Sequence, residues 1–138
     1  MNDGSGQNAT ILLVDDQPEV LTTISLFLSK FGYDVVTADS AQAAGVELLR
    51  PDSTVMAVIT DIRMPSGSGI GLLDLAQTLD SPPPIIILTA YADLDTAVAG
   101  IRKQAFDYLT KPPDFERLRH VVEQAVRYRR LSLLELRY

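Results

Sequence analysis

The sequence contains no cysteine and no tryptophan, and its single histidine, His120, stands close to the C-terminus. The lack of cysteine excludes a disulfide framework, a thiolate zinc site and cysteine redox chemistry. No apolar run approaches the ~18 residues that a membrane-spanning helix needs. Because the opening MNDGSGQN also lacks the basic and apolar regions of a secretory signal, the sequence predicts a cytoplasmic protein without a membrane segment.

The residues that are present are those of one soluble domain. A chain of 138 residues with 46% hydrophobic content can form one compact core without a metal or disulfide staple. The net charge of -6 is uneven, because residues 116–138 carry six arginines against three glutamates. The acidic excess therefore lies in the first 115 residues, which argues against direct nucleic-acid binding by this domain, since binding to phosphates needs basic groups.

Short apolar runs alternate with helical patterns along the chain. Residues 1–9 are predicted to form a disordered tail. Ser40 is a predicted N-cap, and Gly32 and Pro51 are predicted to end the helices before them. The predicted strands are 10–14, 34–38, 55–60, 85–89 and 107–110, and the predicted helices are 18–31, 41–50, 69–80, 94–104 and 115–137.

This alternation predicts an α/β fold with a doubly wound parallel sheet, because each parallel connection needs a crossover of a dozen or more residues. Almost wholly apolar strands such as IIILT fit burial on both faces of such a sheet. With the strand order 2-1-3-4-5, the ligand crevice would lie beyond the carboxyl ends of the strands, where the order reverses.

Three acids, a hydroxyl and a lysine stand at or just after the ends of the predicted strands. Asp15 and Asp16 follow the first strand, Asp61 the third, Thr89 ends the fourth and Lys111 follows the fifth. Two carboxylates ~4 Å apart repel by about 4 kcal/mol at an effective dielectric near 20, so the three acids would recruit a cation or take up protons. With oxygen ligands alone, Mg²⁺ or Mn²⁺ is favoured over zinc.

The open coordination positions of such an ion suit a phosphoryl group. A lysine and a hydroxyl beside the metal would bind the other phosphoryl oxygens, as phosphoryl transfer requires. No serine, cysteine or histidine stands there to attack, so the candidate nucleophile is a carboxylate that forms an aspartyl phosphate.

Each of these residues also has a structural alternative. Asp16 and Glu19 match a capping box ahead of the first helix. Thr89 alone reads as an ordinary strand residue, and Lys111 alone as a solvated loop lysine. Asp61 is different, because the next predicted helix begins about eight residues later, too far for Asp61 to cap it.

Four segments carry a family resemblance: LVDD at 13–16, TDIRMP at 60–65, LTA at 88–90 and YLTKP at 108–112. Together they resemble the receiver domain of bacterial two-component response regulators. The resemblance covers residues 10–127, leaves 128–138 as a helical extension or linker, and implies the flavodoxin-like (βα)5 fold with strand order 2-1-3-4-5.

The resemblance also implies a role for each site residue. Asp61 would accept phosphate from a sensor histidine kinase or a phosphotransfer protein of a phosphorelay. The implied Mg²⁺ ligands are Asp15, Asp16, Asp61 and the backbone carbonyl of Arg63. The implied phosphoryl contacts are Thr89, the Ala90 backbone and Lys111. Thr89 and Tyr108 form the implied switch pair, and the Lys111-Pro112 peptide bond is implied to be cis.

By the same resemblance, phosphorylation would remodel the face made by the fourth helix, the fifth strand and the fifth helix. The domain would be a phosphoacceptor in signal transduction and not an enzyme, although it would assist its own phosphorylation and autodephosphorylation. The sequence departs from the family pattern at Gln104 and Pro113, which concern the output face.

The C-terminal part is similar to receivers that precede ATPase-type transcription activators, which implies an output domain after this chain. The last predicted helix also carries an imperfect heptad stripe that includes Val121, Ala125 and Tyr128. A homodimer through a short coiled coil and a simple helical linker are both compatible with that stripe.

Three other functions compete with a phosphoacceptor. A degenerate receiver could act as a phosphorylation-independent docking module, although its acceptor residues are intact. A phosphatase of the haloacid dehalogenase type needs an acid two residues after its nucleophile, where this chain has Arg63. A flavodoxin-like electron carrier needs a Ser/Thr/Gly-rich phosphate loop after the first strand, where this chain has DDQP at 15–18.

Overall fold

A computed structural model describes residues 9–64, 67–90 and 105–135. The strands are β1 (Thr10–Val14), β2 (Asp34–Ala38), β3 (Val55–Thr60), β4 (Arg63–Met64), β5 (Gly67–Ser68), β6 (Ile85–Ala90) and β7 (Asp107–Lys111). The helices are α1 (Pro18–Ser29), α2 (Ala41–Leu49), α3 (Gly69–Ala76) and the C-terminal helix (Phe115–Glu135).

The five long strands form one parallel sheet in the order β2-β1-β3-β6-β7. This is the order predicted for the five strands and confirms the doubly wound α/β fold. The difference from the prediction is a separate antiparallel ribbon of β4 and β5, which pairs Arg63 with Ser68 in the connection after β3. Two-residue strands are too short to give a hydrophobic period, so the sequence pattern predicted only a loop there.

Apolar side chains cover both faces of the sheet. Along β1, Ile11 and Leu13 belong to one buried cluster, and Leu12 and Val14 belong to the other. The first cluster contains residues of α1 and the C-terminal helix, and the second contains residues of α2 and α3. Alternate residues of a strand point to opposite faces, so the continuous apolar runs are explained by helices on both sides.

The ends of the first two helices follow from local capping chemistry. The Ser40 hydroxyl accepts a hydrogen bond from the Ala43 N–H at 3.0 Å, which confirms the predicted N-cap of α2. Helix α1 ends at Ser29, two residues before the predicted end, because the N–H groups of 30–32 donate three residues back along the chain. Gly32 then turns the chain with a φ of 88°, a conformation that side chains disfavour.

Helix α3 is also shorter than predicted, because it ends at Ala76 instead of Asp80. The Thr78 backbone N–H and hydroxyl both donate to the Leu75 carbonyl, at 3.0 and 2.6 Å, and Leu79 N–H donates to Ala76. These bonds reach three residues back, so the chain tightens into turns and leaves the α-helical path.

Several predictions concern residues outside the described ranges, namely the helix at 94–104, most of the tail at 1–9 and the last three residues. The sequence predicts Ala9 to be part of the disordered tail, but Ala9 is buried and its carbonyl accepts a hydrogen bond from the Asp34 N–H at 2.9 Å. Within the described residues, no helix has both the length and the apolar character needed to cross a membrane.

Candidate functional site

The register of the two central strands brings Asp15 and Asp61 together. Val14 at the end of β1 lies opposite Thr60 at the end of β3. The next residues along the two strands, Asp15 and Asp61, are therefore neighbours. The Asp61 N–H donates to the Val14 carbonyl at 3.1 Å, which extends the pairing by one step. Both carboxylates are buried, with exposed fractions of 1% for Asp15 and 8% for Asp61.

Backbone donors fix the orientation of the Asp61 carboxylate. Its Oδ1 accepts hydrogen bonds from the N–H of Ile62 at 2.7 Å and of Arg63 at 3.4 Å. Its Oδ2 lies 2.7 Å from the Lys111 Nζ. One oxygen is therefore held by the chain that follows β3, and the other faces the lysine across the crevice.

Lys111 bridges the two buried acids. Its ammonium lies 2.6 Å from Asp15 Oδ2 and 2.7 Å from Asp61 Oδ2, and it also donates to Gln17 Oε1 at 3.3 Å. The lysine side chain is only 16% exposed. It is thus a largely buried counter-ion and not the solvated loop lysine that the sequence also allowed.

The electrostatics of Asp15 and Lys111 reflect this burial. Burial raises the pKa of Asp15, and the negative charge of Asp61 raises it further. Lys111 lowers this pKa, as does the Gln17 N–H, which donates to Oδ1 at 2.9 Å, but the net shift is upward. Burial lowers the pKa of Lys111, but its hydrogen bonds to both carboxylates and their charges outweigh that effect and raise it. The lysine stays protonated, and the ionised form of Asp15 stays costly.

Asp16 completes a cluster of three acids. Carboxylate oxygens of Asp15, Asp16 and Asp61 lie within 4.8 Å of one another, and Asp16 is the exposed member. The alternative capping box of Asp16 and Glu19 does not form, because the N-cap of α1 is Gln17, which makes no side-chain capping bond. Pro18 begins the helix one position later than a cap at Asp16 requires.

The other predicted site residues stand around this cluster. Thr89 is fully buried near the end of β6, in register with Thr110 of β7, and the exposed Ala90 pairs with Lys111. Tyr108 is partly buried and packs against the apolar cluster on the α2 and α3 side. The Lys111-Pro112 peptide bond is cis.

Three residues of the site were not found from the sequence. Gln17 holds Lys111, and the Thr60 hydroxyl donates to the Asp61 carbonyl at 2.9 Å. A Cβ at position 69 would overlap that same carbonyl oxygen, so Gly69 is required by the close approach of α3 to Asp61. A glycine at the start of a helix was a usable signal, whereas nothing marks Gln17 until the fold brings Lys111 beside it.

The chemistry of the cluster fits a hard divalent cation. All three donors are carboxylates, and the Lys111 ammonium, which contacts two of them, balances their charge only in part. The raised pKa of Asp15 shows that the buried negative charge is not fully relieved. Mg²⁺ or Mn²⁺ matches oxygen ligands at the mouth of such a crevice, because these ions keep several waters.

Comparison with known proteins gives one consistent family. The response regulator receiver domain family matches residues 11–123. The response regulator protein PilR of Pseudomonas aeruginosa is 36% identical over 118 residues, which are 86% of this chain and 26% of that protein. The transcriptional regulatory protein ZraR of Klebsiella oxytoca is 37% identical over 128 residues, which are 93% of this chain and 28% of that protein.

Solved structures give the same result. A response regulator receiver domain protein from Clostridium thermocellum superimposes with a TM-score of 0.81 at 31% identity, covering 89% of this chain and 98% of that one. A signal receiver domain from Vibrio parahaemolyticus gives a TM-score of 0.84 at 29% identity, covering 92% and 96%. The chain spans about a quarter of the length of the curated relatives, and it belongs to the response regulator receiver domain family of two-component signal transduction.

Proposed function

We propose that this domain is a phosphoacceptor whose Asp61 carboxylate receives a phosphoryl group. The observation that carries this proposal is the bridged pair of buried acids: Asp15 and Asp61 both lie within 2.7 Å of one lysine ammonium. Asp61 has one carboxylate oxygen held by backbone N–H groups and the other turned to Lys111. A fixed carboxylate beside a cation is a suitable nucleophile for phosphorus.

The three acids would hold Mg²⁺ or Mn²⁺ together with the backbone carbonyl of Arg63. The ion would supply positive charge against the oxygens of the transferred phosphoryl group. Asp15 and Asp16 are then metal ligands, and Asp61 is both a ligand and the acceptor. The exposed position of Asp16 would leave such an ion accessible to water and to a phosphodonor.

The transfer takes one phosphoryl group from a phosphohistidine of a sensor histidine kinase or a phosphotransfer protein. An Asp61 oxygen forms a bond to phosphorus while the phosphorus–nitrogen bond breaks, and the imidazole leaves with the electron pair and takes up a proton. The Lys111 ammonium, already at the acceptor oxygen, donates to a phosphoryl oxygen. Water later attacks the phosphorus and restores Asp61, so the domain takes part in its own dephosphorylation.

The response to phosphorylation would begin at Thr89 and Tyr108. The Thr89 hydroxyl would move toward the phosphoryl group, where it and the Ala90 N–H would bind the remaining phosphoryl oxygens. The Tyr108 ring would then turn inward to the space that the Thr89 side chain leaves. Both residues stand on neighbouring strands, where Tyr108 pairs with Ile87 and Thr89 with Thr110. Moving a two-state equilibrium from 1:99 to 99:1 takes about 5.5 kcal/mol of differential binding.

The partners follow from the same site and from the longer relatives. A cavity of about 450 Å³ lies between α1 and the 112–115 segment, with Lys111 in its wall and apolar groups such as Val20 and Phe115 around it. A histidine-bearing partner would dock there to reach Asp61. Because ZraR is named a transcriptional regulatory protein, and because PilR and ZraR are both about three times as long as this chain, we propose an output domain after the C-terminal helix.

Phosphate uptake tests this function. With Mg²⁺ and a small phosphodonor such as acetyl phosphate, the wild type is expected to gain the mass of one phosphoryl group per chain in intact-mass spectra. Asp61→Asn is expected to gain none, because an amide is a poor nucleophile, and to keep the wild-type fold by circular dichroism. Asp39→Asn, an exposed aspartate after β2, is the matched control and is expected to take up phosphate normally.

A wild-type domain that takes up no phosphate would favour the alternative, a docking module that works without phosphorylation. An Asp61→Asn variant that is phosphorylated as well as the wild type would place the acceptor elsewhere. Both outcomes contradict the proposal.

A further inference from the structure

The C-terminal helix continues beyond the part that covers the sheet. Its buried residues end at Val126, and the later residues with described side chains, 127–134, are exposed or partly exposed. At 1.5 Å per residue, the nine residues 127–135 extend roughly 13 Å. A helical end of this kind frays unless other contacts hold it.

Arg129 supplies such a contact with the segment that leads into β6. Its Nη1 donates to the Ser81 carbonyl at 2.7 Å, to the Ser81 hydroxyl at 2.6 Å and to the Pro82 carbonyl at 3.3 Å. Its Nε is buried and has no hydrogen-bond partner among the described residues. A buried guanidinium is costly unless it is well bonded, so these bonds to 81–82 have to offset a desolvation cost.

The sequence of the 81–84 segment explains why an arginine fits there. Pro82, Pro83 and Pro84 have no N–H to donate, so the segment cannot pair as a normal strand. The Pro84 carbonyl is taken by the Val58 N–H at 3.0 Å, whereas the carbonyls of Ser81 and Pro82 accept from Arg129. The planar guanidinium can serve several acceptors at once, which a lysine ammonium does less well.

A second contact attaches the same turn of the helix. The Tyr128 ring lies 5.8 Å from the Phe106 ring, centroid to centroid, just before the start of β7. The helix is therefore attached near the starts of both β6 and β7. Neither attachment touches the acid cluster, which lies at the opposite ends of these strands.

We propose that Arg129 is a latch that fixes the projecting end of the C-terminal helix to the 81–84 segment and so sets the direction in which the helix leaves the domain. The helix end is then a rigid continuation of the domain and not a flexible linker. This inference goes beyond the proposed phosphoacceptor function and does not rest on it, because no contact of the latch involves Asp61.

Spin-label distances test the direction of the helix. The chain has no native cysteine, so labels at Val46→Cys and Leu134→Cys, both exposed positions, report one distance without background labelling. The labelled wild type is expected to give a narrow distance distribution. Arg129→Ala is expected to broaden it clearly, whereas Arg127→Ala, an exposed arginine on the same helix, is expected to leave it narrow.

Amide hydrogen exchange on the unlabelled full chain tests the same latch by measuring how well ordered the end of the helix is. In Arg129→Ala, the amides of 130–134 are expected to exchange about tenfold faster or more, a factor that corresponds to about 1.4 kcal/mol. Amides of 118–126 serve as the internal measure of folding. If Arg129→Ala does not fold, Arg129→Lys keeps the charge without the guanidinium fork and is expected to show a smaller change in the same direction.

A narrow distance distribution in the folded Arg129 variant, with exchange at 130–134 no faster than in Arg127→Ala, would overturn the latch. A broad distribution in the wild type would also overturn it.

Discussion

At the scale of single residues, the site depends on one lysine placed between two buried carboxylates. Lys111 contacts both Asp15 and Asp61, and its pKa is raised because those contacts outweigh its burial. The pKa of Asp15 is raised as well, chiefly by burial. The ionised Asp15 therefore destabilises the metal-free fold, and a second cation would reverse that effect.

The sign of this effect gives a pH dependence. Because the folded-state pKa of Asp15 lies above its unfolded value of about 3.8, the folded state holds the proton more tightly. The contribution of Asp15 to stability is greatest below the unfolded pKa and falls as the pH rises through the raised folded pKa. The penalty for ionising Asp15 therefore grows as the pH rises, unless a cation is bound.

Asp15→Asn tests this balance. Without divalent cations at neutral pH, the variant is expected to be at least as stable to urea as the wild type, because the amide removes a costly buried charge. With Mg²⁺ at about a hundred times its Kd, the wild type is expected to gain about 2.7 kcal/mol, and the variant much less. The control Asp39→Asn is expected to gain as much as the wild type; an equal Mg²⁺ gain in Asp15→Asn would contradict the assigned ligand role.

At this scale the sequence reveals the charged residues of the site but not the residues that hold them in place. Asp15, Asp16, Asp61 and Lys111 follow the ends of the predicted strands, so the topology alone predicts that they converge. The contact of Gln17 with Lys111 joins residues 94 positions apart, which no local pattern shows. The capping box at Asp16 was a valid local pattern, but Pro18 starts the helix after Gln17 instead.

At the scale of secondary structure elements, the connection from β3 to α3 controls the backbone of Asp61. The Gly69 N–H donates to the Ile62 carbonyl at 2.9 Å, and the glycine Cα lies against the Asp61 carbonyl. The ribbon of β4 and β5 draws the chain back so that α3 begins there. The absence of a side chain at position 69 is therefore part of how the Asp61 backbone is positioned.

Gly69→Ala and Gly71→Ala form a matched pair that tests this close approach. The first is expected to cost about 1–3 kcal/mol of unfolding free energy, because its methyl group overlaps backbone, and to slow phosphate uptake by Asp61. The second places a methyl in open space within α3 and is expected to stabilise by about 0.5–1 kcal/mol. Urea unfolding measures both, and equal effects would argue against a special role for Gly69.

The strands were predicted more accurately than the helix ends. Each long strand is an apolar run bounded by turn residues, and the predictions for β1, β2 and β3 agree with the structure residue by residue. Helix ends depend on competing bonds that the hydrophobic period does not show, such as the Thr78 hydroxyl on the Leu75 carbonyl. The sequence likewise shows the arginines of the last helix only as an excess of basic charge, and nothing in it marks the contact of Arg129 with Ser81.

At the scale of the whole molecule, the sheet order joins residues that are far apart in sequence into one site. Asp15 follows β1, Asp61 follows β3 and Lys111 ends β7, and β6, which carries Thr89, lies between β3 and β7. In the proposed function, phosphoryl transfer needs the acids, whereas the response needs the lysine and the switch pair to act together. The two roles are therefore separable by mutation.

Lys111→Ala is expected to separate them. The variant should still take up a phosphoryl group from acetyl phosphate with Mg²⁺, because the acids remain, but its Tyr108 and Thr89 amide signals should not shift on phosphorylation. Lys30→Ala, an exposed lysine after α1, is the control and should behave as the wild type. A Lys111→Ala variant with the full wild-type shifts would show that the lysine is not part of the response.

The most direct test of the acceptor site is amide NMR of the Mg²⁺-loaded domain before and after addition of beryllofluoride, which mimics a phosphoryl group on a carboxylate. The signals of Asp61, Thr89, Tyr108 and Lys111 are expected to shift in the wild type and to stay in place in Asp61→Asn. Wild-type spectra that superimpose before and after the addition would contradict the assignment of Asp61 as a phosphoacceptor.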